Sequence, residues 1–181
     1  MKRLILLVLA VVVAGVAAWV ILAPPATVER IRYPLHYTSI VRGHARNYKL
    51  DPALLAAVIE VESKFKPDAK SSSGAIGLMQ LLPSTAQGIA VHTGGSNFHT
   101  VDLYNPEINV RYGAWYLRHL LDKYDDNERT ALAAYNAGQD NVDRWMADGS
   151  GIGYAETRAY VDRVEKLKRI YGNLWRRQLE G

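Results

Sequence analysis

The sequence predicts a mainly α domain, a compact multi-helix arrangement of α+β type with one short β-hairpin, preceded by a single apolar N-terminal helix. Three observations carry this reading. Residues 4–23, LILLVLAVVVAGVAAWVILA, are 20 consecutive positions without a charge. From Pro34 onward apolar residues recur on a helical period, and two of the runs open on a capping residue followed by proline, Asp51-Pro52 and Asn105-Pro106. Only residues 67–83 break that pattern with Ser, Gly and apolar residues mixed together, and the hairpin belongs there.

At about 1.5 Å per residue the apolar run spans roughly 30 Å, the hydrocarbon thickness of a bilayer. Lys2 and Arg3 precede it and hold the N-terminus on the cytoplasmic side, so the remainder is expected to be translocated. Trp19 falls near the far end, where an indole favours the interface. The run is longer than a signal-peptide core and no good small-x-small site follows it, so an uncleaved anchor is the reading adopted. A cleavable leader processed near Val16-Ala17-Ala18 is the alternative. Pro24 and Pro25 end the span and begin a linker over 24–33.

The domain proper covers 34–175, with a tail at 176–181. Its first helix lies within 34–48, and Asp51-Pro52 opens the next, on ALLAAVIEV. Asn105-Pro106 opens a long helix in which Ile108, Trp115 and Leu120 share a stripe. Short helices follow at 128–136 and 141–146, broken at Gly138. The last helix covers 156–171, with Tyr160, Val164, Leu167 and Tyr171 on one stripe. About 140 residues suffice for an independent core.

Composition closes several routes. There is no cysteine, so disulfides, thiolate metal sites and a cysteine nucleophile are excluded. The net charge of +4 falls to about +2 without Lys2 and Arg3, and the charges are scattered, so no nucleic-acid partner is expected. His36, His44, His92, His99 and His119 lack paired ligand spacing, and no glycine loop followed by Lys is present; neither metal nor cofactor is expected. Tyr112, Trp115 and Tyr116 read as a core stripe before a sugar platform, Gly94-Gly95-Ser96-Asn97 as a mobile loop bordering a groove, and Arg176-Arg177 as solvated.

The informative residue is Glu62. On a wheel of about 100° per residue it falls inside the apolar arc of Leu54, Leu55, Val58, Ile59 and Val61, whereas Glu60 points the opposite way, into solvent. A carboxylate on a core-facing stripe is costly, and the negative end of the helix dipole adds to the cost. Both raise its pKa, as a general acid near neutrality requires. The wheel alone equally allows a helix-end glutamate turned out into water. Gln80, inside the apolar run Ile76-Gly77-Leu78-Met79-Gln80-Leu81-Leu82, must find hydrogen-bond partners, and so either braces a polar group or meets a ligand.

Five ordered blocks then bear on the choice: Glu62-Ser63, Gly77-Leu78-Met79-Gln80, Pro83-x-Thr85-Ala86, Ala134-Tyr135-Asn136-Ala137-Gly138 and Glu156-Thr157-Arg158. From about Asp51 to Tyr171 the chain resembles the Slt-type lytic transglycosylases, which have a goose-lysozyme-like α+β fold and cut the glycan of peptidoglycan. The resemblance implies that Glu62 is the catalytic acid/base. It implies further that Ser71, Met79, Gln80, Leu82, Tyr135, Asn136 and Glu156 line the substrate site, with Tyr135 close to the catalytic carboxyl. Leu82 stands where some relatives carry methionine. The implied partners are peptidoglycan glycan strands, with the bacterial inner membrane engaged by 4–23. The implied reaction cleaves the β-1,4 bond between N-acetylmuramic acid and N-acetylglucosamine without water and leaves a 1,6-anhydromuramyl end. Two alternatives stand beside it. One is a hydrolytic muramidase on the same scaffold using Asp68 or Asp102 as a second carboxylate, and the other a non-catalytic wall-binding protein.

Overall fold

The computed structural model describes residues 1–22, 26–93 and 97–181. The chain forms two compact units, Met1–Pro34 and Leu35–Gly181. Pro24, Pro25 and the loop read at Gly94-Gly95-Ser96 lie outside the described residues.

The first unit holds α1 (Lys2–Leu22) and α2 (Ala26–Arg32). The side chains of residues 2–19 of α1 are exposed, Leu4, Val11 and Trp19 among them. It is long and apolar enough to cross a membrane, a test that a signal sequence also passes. Within the stretch read as a linker, residues 26–32 are helical and expose Ile31.

The second unit is built around α4 (Pro52–Ser63). Asp51 accepts a hydrogen bond from the Ala53 amide at 2.8 Å, Pro52 occupies the first turn, and Lys64 ends the helix in the left-handed conformation. Every residue from Ala53 to Ile59 is buried. Over that stretch α4 has no wet face: α3 (Thr38–Asn47), α9 (Ala155–Leu174) and α10 (Arg176–Glu180) all pack against the helix. Leu179 of α10 is buried, so the tail at 176–181 docks by one residue while Arg176 and Arg177 stay exposed.

Residues 64–82 are the non-helical stretch. The hairpin takes its minimal form, two isolated antiparallel bridges, Lys70 with Ile76 and Ile76 with Leu81. Asn109, fully buried on α6 (Pro106–Lys123), holds this segment. Its Oδ1 accepts from the Met79 amide at 2.7 Å, and its Nδ2 donates to the carbonyls of Ile76 at 2.9 Å and Leu103 at 2.8 Å. Gly77, at φ +81°, is fixed by this approach: a Cβ there would lie 2.2 Å from the Asn109 amide nitrogen. The segment, α5 (Pro83–His92), a 3-10 helix (Thr100–Tyr104) and α6 share one buried cluster that includes Ile76, Leu81, Ile89, Leu103 and Tyr112.

Helix α7 (Glu128–Ala137) is capped by Asn127 and packs against α6, α8 (Gln139–Asp148) and α9. Gly138, at φ +87°, turns the chain between α7 and α8, as the sequence break there predicts. The ends of α4 and α7, the start of α9 and the 64–82 segment thereby reach one cleft.

Candidate active site

The cleft encloses about 500 Å³. Its lining includes Glu62, Ser71, Gln80, Leu82, Tyr135, Asn136 and Glu156, so one cavity gathers residues from positions 62 to 156 of the chain. Among the described residues no Lys, Arg or His belongs to that lining.

Glu62 is the second-last residue of α4 and is partly buried. Burial pushes its carboxyl up from 4.5 to about 7, against a smaller opposing pull from the Tyr160 hydroxyl, which donates to Oε1 at 2.6 Å. With no cation among the described residues of the cleft wall, the Tyr160 hydrogen bond is what opposes the loss of solvation. The Tyr135 hydroxyl donates to the Met79 carbonyl at 2.8 Å. Burial and then the Glu62 charge push both Tyr135 and Tyr160 well above the usual phenol range, so both remain neutral donors. Ser63 ties the end of α4 to the turn beyond it, its hydroxyl lying 2.8 Å from the Leu78 carbonyl.

Because the folded pKa of Glu62 is raised, the folded chain binds more protons than the unfolded one between pH 4.5 and about 7. Stability from this group is therefore lost as pH rises through that window. Glu62→Gln keeps the Tyr160 hydrogen bond and does not titrate. Relative to the parent it is expected to be near neutral at the acid end and more stable by on the order of 2 kcal/mol at pH 8. Urea unfolding of both proteins at the two pH values checks this.

Gln80 does both things its position allows. Its Nε2 donates to the carbonyls of Ala69 at 3.1 Å and Gly77 at 2.9 Å, bracing the turn, while the residue lines the cleft. Ser71 accepts from the Ala75 amide at 3.0 Å and closes the turn over 71–75. Leu82 is 41% exposed at the rim. Asn136 is the second-last residue of α7 and Glu156 lies in the first turn of α9.

Met79 is placed differently from the rest. Its side chain is fully buried against Gly113, and only its carbonyl oxygen faces the site, toward Tyr135. The chain turns here, with Gln80 in the left-handed conformation at φ +48°, and Met79 enters the core where Gln80 meets the cleft. Glu60 also departs from the wheel. It is half-buried, within 3.4 Å of the Tyr171 hydroxyl, and burial raises its pKa. The stripe reading of Tyr112, Trp115 and Tyr116 holds for buried Tyr112, but Tyr116 lines the cleft and stacks at a tilt on Tyr135. Trp115 is sandwiched between His92 and His119.

Asp68 is exposed and absent from the lining, and Asp102 accepts from the His99 amide in the cap of the 3-10 helix. Glu156 is the second carboxylate that the cleft contains. The residues that sequence reasoning missed are Tyr160, Ser73, Thr85 and Tyr116. A hydroxyl on the otherwise apolar stripe of Tyr160, Val164 and Leu167 was the available signal, since a buried phenol needs a partner.

This arrangement can hold a carboxylic acid in its protonated form near neutrality, donate that proton to a bridging oxygen, and stabilise the resulting carboxylate through one phenol.

Residues 39–154 match the transglycosylase SLT domain. A membrane-bound lytic murein transglycosylase C from Glaesserella parasuis is 38% identical over 168 residues, covering 76% of this chain and 46% of that protein. The soluble lytic murein transglycosylase of Escherichia coli K12 is 30% identical over 144 residues, covering 74% of this chain and 22% of that protein. An inactive variant of the lytic transglycosylase Slt from Pseudomonas aeruginosa superposes with a TM-score of 0.75 at 35% identity, over 80% of this chain and 25% of that one. The chain thus spans about a quarter of the length of the soluble relatives it matches. With the match covering most of the Leu35–Gly181 unit that forms the cleft, this chain belongs to the SLT transglycosylase domain family.

Proposed function

We propose that this protein is a peptidoglycan lytic transglycosylase working on the periplasmic side of the inner membrane, held there by α1. The observation that carries the proposal is Glu62, a carboxyl that burial raises to about 7 in a cleft with no Lys, Arg or His among its described lining residues.

Protonated Glu62 donates to the oxygen of the β-1,4 bond between N-acetylmuramic acid and N-acetylglucosamine. The acetamido oxygen of the muramyl residue stabilises the charge developing at its anomeric carbon, the substrate-assisted route open to N-acetyl sugars. Glu62, now a carboxylate, accepts the proton of the muramyl 6-hydroxyl. That oxygen attacks the anomeric carbon and closes the 1,6-anhydro ring, so the proton returns to Glu62 and no water is consumed. A tethered hydroxyl has a large effective concentration, which favours ring closure over hydrolysis in a poorly hydrated niche. The two tyrosine hydroxyls near Glu62 remain donors throughout, because neither ionises in the working range.

A hydrolytic muramidase is the second reading, and Glu156 in the same cleft is the observation that favours it. Product mass decides between them. Digested sacculi are expected to yield muropeptides one water lighter than reducing-end products. Reducing ends alone would replace the transglycosylase reading with the hydrolytic one.

A further inference from the structure

Thr157 sits in the first turn of α9 and is 2% exposed, so its hydroxyl needs a partner inside the protein. That partner is Asn136 at the end of α7, with Oγ1 to Oδ1 at 2.8 Å. The direction of this bond is fixed by elimination. A hydroxyl has one proton to donate, and among the described residues Thr157 meets no other acceptor through its side chain. Rotating the Asn136 amide by half a turn would set an N–H against Oγ1 and leave the buried O–H with nothing to bond.

The consequence is a fixed amide. With Oδ1 occupied by Thr157, the Nδ2 group is left over, and no protein partner takes it among the described residues. Asn136 is exposed and lines the cleft. So does Glu156, the residue before Thr157, whose carboxylate makes no hydrogen bond or ion pair among the described residues. One bond between α7 and α9 therefore presents a donor and an acceptor to the same cavity. A planar group with one carbonyl and one N–H complements such a pair, and on a glycan the acetamido substituent is that group.

We propose that Thr157 is a positioning residue that locks the Asn136 amide with Nδ2 toward the cleft, where Asn136 and Glu156 together read an acetamido group of the bound sugar. The inference rests on the glycan-cleaving reading above, and its test is separable from it.

The full chain in detergent, carrying Glu62→Gln to suppress turnover, is titrated by calorimetry with tetra-N-acetylchitotetraose and with its fully de-N-acetylated counterpart. The acetylated oligomer is expected to bind about tenfold tighter, the scale of one net hydrogen bond to a neutral group. Thr157→Val, which keeps the shape and removes the hydroxyl, is expected to bring that ratio to about one or below, because a freed Asn136 can turn its oxygen toward an ammonium. Thr157→Ser restores the ratio. A role confined to stability lowers the melting temperature of both Thr157 variants and leaves the ratio alone, which would overturn the inference. So would a ratio lost equally in the Ser and Val variants, or a Glu62→Gln chain that prefers neither oligomer. Cleavage itself is judged separately, by product mass with Glu62 intact.

Discussion

Glu62→Gln is expected to lower the rate of glycan cleavage by at least about 10³-fold, with binding of glycan changed less than about threefold. One carboxyl serves as acid in the first half of the reaction and as base in the second, so its removal takes away both proton transfers. No neighbour can take over. Among the described residues the cleft contains one further carboxylate, Glu156, and it sits on α9 without the Tyr160 bond that holds Glu62. The amide keeps the size of the side chain and accepts the Tyr160 hydroxyl, so the cleft wall stays in place. Release of muropeptides from purified sacculi, followed by mass spectrometry, gives the rate; equilibrium binding to the same material gives the affinity. Turnover within tenfold of the parent would remove Glu62 from the chemistry.

Tyr160→Phe is expected to cut the same rate about 10- to 100-fold and to move the alkaline limb of the pH profile upward. The Tyr160 hydroxyl donates to Glu62 Oε1 at 2.6 Å and is the hydrogen bond that pulls the Glu62 pKa down against burial. Its loss leaves desolvation unopposed, so the acid stays protonated to a pH above about 7. The rate falls because the carboxylate formed after proton donation loses a charge-assisted hydrogen bond, which is worth about 1.5–3 kcal/mol. Tyr160 is not among the residues that line the cleft, so KM should hold while kcat drops. An unmoved alkaline limb would mean that the phenol plays no part in setting the acid.

Much of this was legible in the chain. The capped starts at Asp51-Pro52 and Asn105-Pro106, the break at Gly138 and the long closing helix all depend on local chemistry, and each stands where the sequence puts it. The 64–82 segment was legible only as non-helical, because its shape is imposed by Asn109 from α6, about 30 residues away. The wheel placed Glu62 on an apolar arc but could not say what covered it. That cover includes Tyr160, 98 positions later, and the pairing exists because α9 packs along α4. Glu60 misled for the same reason: a wheel assumes one dry face, whereas α4 is buried all round over 53–59 and Glu60, next in line, meets Tyr171 of α9. Met79 and Gln80 are adjacent in one block, and the tight turn that ends at left-handed Gln80 separates the core residue from the cleft residue.

The whole proposal turns on where Glu62 gives up its proton. Carbon-13 NMR of the full chain labelled at glutamate carboxyls, with the resonance assigned by its absence in Glu62→Gln, follows that titration directly. A midpoint of about 7 is expected. A midpoint near the ordinary value of 4.5 would mean that the carboxyl is ionised whenever substrate arrives, and the proton donor would have to be sought elsewhere.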